Sequence, residues 1–218
     1  MTWIASPQYS DGMEPPLLAV REALHVDLVA LQPSILPAIH DSLCNAQFTA
    51  GWRSRGRYIP AHALEGFLTS GIAKSHVVVS RGRRNTLGLV ELMDYEPVEN
   101  RAQISVVSWS TGVAKGLVVE GAVVSLDEWF CELALDIVHL VTPNISESHL
   151  STISKHFHFD GTLRGWTRHN GRILDADMFS ITKGEFVRQS RITSNYGAFR
   201  HVGGFSETES GFSTAHKF

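Results

Sequence analysis

Cysteine is scarce in this 218-residue chain: only Cys44 and Cys131 are present. They form no metal or redox spacing, which excludes a disulfide scaffold and a thiolate metal site and points to a reducing cytoplasm. Long apolar runs are also lacking. No stretch approaches the roughly 20 residues that span a bilayer, and the N-terminus carries no signal-peptide pattern, so no membrane association is expected. Neither sign of charge dominates. Nineteen Lys and Arg against 22 Asp and Glu leave a net −3, which gives no global reason to expect nucleic-acid binding. His156 and His158 share a face if their stretch is extended, but no carboxylate or cysteine stands at usable spacing, so no metal is expected.

What is there centres on residues 101–133. A short apolar strand, Ile104 to Val107, runs into a loop with Gly112 and Gly116. A long helix follows, its apolar face drawn through Val119, Ala122, Val123, Leu126, Phe130 and Leu133 at helical spacing. A strand feeding such a turn and helix leaves backbone N–H groups at the positive end of a helix dipole, a site for anions. Before it, the spacing predicts a strand at His25–Leu31 and helices at Ile35–Ala46 and Ala61–Ala73, with strands at His76–Ser80 and Thr86–Met93. After it come a strand at Asp136–Thr142, a helix at roughly Ser146–His156 and two closing strands. This is an α/β arrangement on a mixed sheet.

Lys115, Gly116, Glu120, Phe159, Gly161, Arg164, Gly171, Asp175, Ser180 and Thr182 stand in an order and spacing that resembles the GNAT superfamily of acyl-CoA N-acyltransferases. The likeness is nearest to the RimJ/RimL-type branch, which acetylates ribosomal-protein N-termini. It implies a GNAT fold, a mixed central β-sheet flanked by helices, over residues 24–187. An irregular lead-in, 1–23, would precede it, and an extended C-terminal tail, 188–218, would follow. That tail carries Phe199, Phe205, Phe212 and Phe218 as apolar anchors for the body or for a second subunit of a homodimer.

The resemblance further implies direct attack of an amine on the thioester of acetyl-CoA or another acyl-CoA. The acceptor would be an amine-bearing small molecule or a protein N-terminus. The backbone of Val106, Val107 and Ser108 would pair with the pantetheine arm. The stretch Val113, Ala114, Lys115, Gly116, Leu117 and Val118 would cradle the pyrophosphate. The general base is expected at Glu91, a carboxylate within an otherwise apolar strand, with Asp94 and His76 behind it. Ser151 or Ser148 would be the general acid. Three positions of the loop depart from the family and bear on the donor. Val113 replaces a polar residue, Ala114 stands where a glycine is frequent, and Val118 puts β-branched methyl groups where a diphosphate is expected. Those departures leave a second reading with an aminoacyl-tRNA or carrier-protein donor. A third is a non-catalytic GNAT-like binding protein. The arginine sets at 53, 55 and 57 and at 81, 83 and 84 are solvated loop charges or phosphate contacts.

Overall fold

The computed structural model describes residues 19–44, 49, 51–82, 85–143, 156–169 and 171–194. Eight strands form one sheet in the order β1-β2-β3-β4-β5-β6-β8-β7. They are β1 (Ala19–Glu22), β2 (Val26–Val29), β3 (Ile72–Ser80), β4 (Thr86–Glu96), β5 (Arg101–Ser108), β6 (Ile137–Pro143), β7 (His158–His169) and β8 (Arg172–Thr182). All neighbours are antiparallel except β5 and β6. That parallel pair needs a crossover, and α3 (Val113–Glu132) supplies it. A 3-10 turn at Pro33–Ile35 leads into α1 (Leu36–Leu43); α2 (Ala61–Thr69) and α4 (Lys183–Ser194) complete the helices.

Strand alternation divides the core between two faces. Val78, Val90, Leu92, Ile104 and Val138 meet α3 and α4, whereas Val77, Val79, Leu89 and Val107 meet α1, α2 and Trp52. On the first face α3 lies almost in contact with the sheet. A Cβ at Gly88 would stand 2.5 Å from the Val107 carbonyl oxygen and 2.7 Å from Val118 Cγ1, and one at Gly121 would stand 2.6 Å from Val78 Cγ2. Glycine at these two positions allows the close approach.

Several expectations shift. The helix begins at Val113, so Gly116 lies in its first turn and not in a loop. Its sheet face runs through Val118, Ala122, Ser125 and Trp129, all buried, while Val119 is 40% exposed. Of the expected apolar stripe, Ala122, Leu126 and Phe130 are buried and Val123 and Leu133 pack against the same core, so only Val119 departs. The contact face is wider than hydrophobic periodicity shows because it also includes Gly121 and Ser125. The helix expected to reach Ala73 stops at Thr69; Gly71 takes a φ of +70° and the chain continues as β3. The helix α4 was not anticipated. Thr182 caps it: Glu185 Oε2 accepts from the Thr182 N–H (2.9 Å) and hydroxyl (2.7 Å), and the Glu185 N–H donates back to Thr182 Oγ1 (3.2 Å). These bonds hold the Glu185 carboxyl below its ordinary range, the Thr182 backbone bond being the largest cause. The expected Ser146–His156 helix and the tail's four phenylalanines lie outside the described residues, apart from His156, a turn residue.

Candidate active site

The parallel pair opens. Backbone register between β5 and β6 ends at Ile104↔Leu140, although β5 continues to Ser108 and β6 to Pro143. Val106, Val107 and Ser108 keep β4 on one side, through Val90↔Val106, Leu89↔Val107 and Gly88↔Ser108, and among the described residues have no strand on the other. The result is a strand edge inside a sheet, which an extended chain of amides can pair with.

Five residues beyond β5, α3 begins at Val113 after Gly112 at φ +61°. Its N-terminus has no side-chain cap and no acidic residue in the first turn. The first four N–H groups of a helix, counted from its N-cap, lack i−4 partners; here they belong to Gly112, Val113, Ala114 and Lys115. Of these, Lys115 N–H makes a weak 3.2 Å bond to Gly112 O. A Cβ at Gly116 would meet nothing within 4 Å, so the turn is open to solvent. Val118 is 1% exposed and directs both γ-methyls at Gly88. The steric objection to a diphosphate therefore falls: the side chain is a core residue, and it presses the helix onto β4. The loop between β5 and α3 is pinned in turn, with Trp109 Nε1 donating to Thr86 O at 2.8 Å and Ser110 Oγ to Leu87 O at 3.1 Å.

On the opposite face, Glu91 pairs across from Ser105, the first β5 residue past the β6 register. It is 0% exposed and saturated. Trp52 Nε1 donates to Oε2 at 2.6 Å; Arg53 donates from Nε and Nη2 to Oε1 at 3.0 and 2.8 Å. Arg53 also donates to Phe67 O at 2.6 Å, and its guanidinium lies 4.0 Å from the Phe67 ring centroid. A base needs an oxygen aimed at the acceptor, and this carboxylate instead ties residues 51–60 to the sheet. His76 lies on the other face, under α3, with Nδ1 3.0 Å from Ser125 Oγ and its ring stacked on Trp129. Asp94 is exposed at φ +50°, at the end of β4 remote from the opening. Ser148 and Ser151 lie outside the described residues.

One group was missed. His139 pairs with Gln103 on β5 and Ser180 on β8, which puts it on the Glu91 face immediately below the opening. Its Nδ1 is buried without a hydrogen-bond partner among the described residues and lies 3.9 Å from Asp160 Oδ2; Asp160 Oδ1 accepts from Ser180 Oγ at 2.9 Å. A lone histidine in an apolar strand was visible in the sequence, but its neighbours come from three other strands.

The β7–β8 hairpin closes this side. Beyond Pro143↔Ala176 it has no β6 partner, and its tip reaches residues 51–60, where the Arg55 guanidinium stands 5.9 Å from the Trp166 ring centroid. Among the described residues, no cluster of His, Cys, Asp and Glu could hold a metal ion, and no helix is long and apolar enough to cross a membrane.

Solved structures share this architecture. Spermidine N-acetyltransferase from Vibrio cholerae, in complex with CoA and spermine, aligns with a TM-score of 0.64 at 21% identity, over 75% of this chain and 98% of that one. A putative acetyltransferase aligns at 0.67 and 18% identity, over 80% and 92%. A GNAT-family acetyltransferase from Bacillus anthracis aligns at 0.63 and 14%, over 75% and 98%. No family model and no curated protein matches the chain. The fold is that of the GNAT acetyltransferases.

Proposed function

We propose that the chain is an N-acyltransferase that takes an acyl group, acetyl in the simplest case, from a CoA thioester to an amine. The observation that carries this reading is the unpaired β5 edge at Val106–Ser108 beside the uncapped start of α3. The first offers backbone partners to the amides of a pantetheine arm. The second offers N–H groups and a dipole to a diphosphate. With Val118 turned into the core, its bulk no longer argues for a carrier-protein or aminoacyl-tRNA donor over CoA, and the missing polar residue at Val113 is the departure that keeps those donors as the second reading.

The thioester supplies an activated carbonyl; a C–N bond forms, the C–S bond breaks, and one proton passes from the amine toward the departing sulfur. His139 replaces Glu91 in this proposal as the group that accepts the amine's proton, directly or through one water, with Asp160 orienting the ring. Its 3.9 Å separation from Asp160 is the loose geometry that unliganded sites show before substrate tightens them. Ser148 or Ser151 stays the proposed proton donor to sulfur. Within the fold, the RimJ/RimL-type branch is the affiliation we propose, on the sequence resemblance alone. Its register residues have structural partners here: Glu120 binds His25 through N–H (2.9 Å) and ring (3.0 Å), Asp175 accepts from the Gly165 N–H, and Thr182 caps α4.

The test is thiol release from acetyl-CoA across a panel of amines. We expect turnover that falls about 100-fold in His139→Gln at unchanged melting temperature. No thiol release with any amine, together with no acetyl-CoA binding, would overturn the reading.

A further inference from the structure

Residues 51–60 carry three arginines with different fates. Arg53 is spent on Glu91. Arg57 donates only its Nε, to Ser54 O at 3.2 Å, and Arg55 makes no ion pair among the described residues. Yet Arg55 is held in the left-handed region, φ +54°, by Arg55 N–H to Trp52 O (2.7 Å) and Gly56 N–H to Thr49 O (3.0 Å). A long side chain in that conformation is strained, and here the strain presents the guanidinium to the Trp166 ring.

Beside these groups lies a hollow of about 270 Å³, lined by Ser54, Arg57, Tyr58, Ile59 and Phe67 among others. Ser54 is 1% exposed and its hydroxyl has no hydrogen-bond partner among the described residues. A buried hydroxyl without a partner is unfavourable, and an alanine there would avoid the cost. The carboxylates of the same face do not neutralise the arginines: Glu91 is bound by Trp52 and Arg53, and Asp160 accepts from Ser180 Oγ. Two arginines without an ion pair among the described residues, in a chain of net charge −3, run against its overall sign.

We propose that the acceptor amine also carries a compact anionic group, a carboxylate or a phosphate, seated on Arg57 and the Ser54 hydroxyl, with Arg55 and Trp166 closing over it. What happens to the amine rests on the acyltransferase reading; the binding does not. A guanidinium and a hydroxyl together suit either anion, through charge-assisted hydrogen bonds. Tyr58 and Phe67 give the body of the molecule an apolar wall. A polyamine would meet like charge at the same place, which selects against it.

The test is calorimetry without acyl donor, using phenylalanine for the carboxylate, O-phosphoethanolamine for the phosphate and spermidine as the polycation. Arg57→Gln and Ser54→Ala are the variants, with Arg81→Gln as a control on the remote β3–β4 hairpin. At least one anionic amine should bind with submillimolar Kd, weakened tenfold or more by Arg57→Gln, severalfold by Ser54→Ala and not by Arg81→Gln. Which anionic probe binds distinguishes carboxylate from phosphate. Tighter binding of spermidine than of both anionic amines, no binding of either, or indifference to Arg57→Gln would overturn the proposal. Anionic-amine binding without any acetyl transfer would retract the acyltransferase reading and leave this one standing; transfer to spermidine with no response to Arg57→Gln would do the reverse.

Discussion

Under α3 the sheet is met by its smallest residues, Gly88 and Gly121, and what they touch is backbone and valine methyls. Under α1, α2 and residues 51–60 it is met instead by a buried carboxylate, a guanidinium and an indole N–H, each satisfied by another. The first side gains its rigidity from close packing, where a single methyl has no room. The second gains it from hydrogen-bond geometry, where a single missing partner leaves a charge buried. Close packing suits a site that holds the same diphosphate-bearing molecule every time. A polar scaffold with a strained loop suits a site whose ligand differs between proteins of one fold.

Breaking the polar side should have the largest effect. Glu91→Gln leaves the Arg53 guanidinium without a counter-ion and should cost about 3–5 kcal/mol of stability in denaturant titration. Arg53→Met combined with Glu91→Leu should recover most of it. If Glu91→Gln instead keeps its melting temperature and loses about 100-fold in kcat, Glu91 is the base and His139 is not. Breaking the packed side comes next. Gly88→Ala drives a Cβ against the Val107 carbonyl and Val118, and overpacking of this kind costs about 1–3 kcal/mol. A stable Gly88→Ala variant would mean that α3 can lift from β4.

The smallest effect sharpens the boundary of the packed side, where α4 joins it through the Phe130–Phe186 ring contact. Thr182→Ala removes the cap and should cost about 1 kcal/mol. The pH dependence has a definite sign. Because the folded Glu185 carboxyl titrates below its ordinary 4.5, its contribution is full above that pH and fades as pH falls through the lowered value. The gap between wild type and Thr182→Ala should therefore narrow in acid; a gap that widened would contradict the capping box.

The two sides also differ in how far the sequence reveals them. The strand, glycines and helix of residues 101–133 are local, so the position of the opening and of the α3 start is readable in order. Even there the buried stripe comes out too narrow, holding Ala122, Leu126 and Phe130 but not Gly121 and Ser125, which do not register as apolar. The polar side is built from distant pieces. Glu91 stands out as a carboxylate among aliphatics, but its partners lie 38 and 39 residues upstream in an irregular segment. His139 gains meaning only from the register of β6 against β5 and β8. The α4 helix had a legible signal, Thr182 and Glu185 at capping-box spacing, which was absorbed into the family ending and so passed over.

The most direct measurement of the central claim, that the open strand edge and the uncapped start of α3 together hold the donor, is calorimetry of acetyl-CoA on wild type and on Gly116→Asp. The new side chain has open space, and a carboxylate in a helix's first turn is favourable to the helix itself, so the variant should fold with equal or higher stability. Against a diphosphate, that charge is repulsive. The account predicts micromolar binding to wild type and at least tenfold weaker binding to Gly116→Asp, about 1.4 kcal/mol. No heat at millimolar acetyl-CoA, or equal affinity for both proteins, would contradict it.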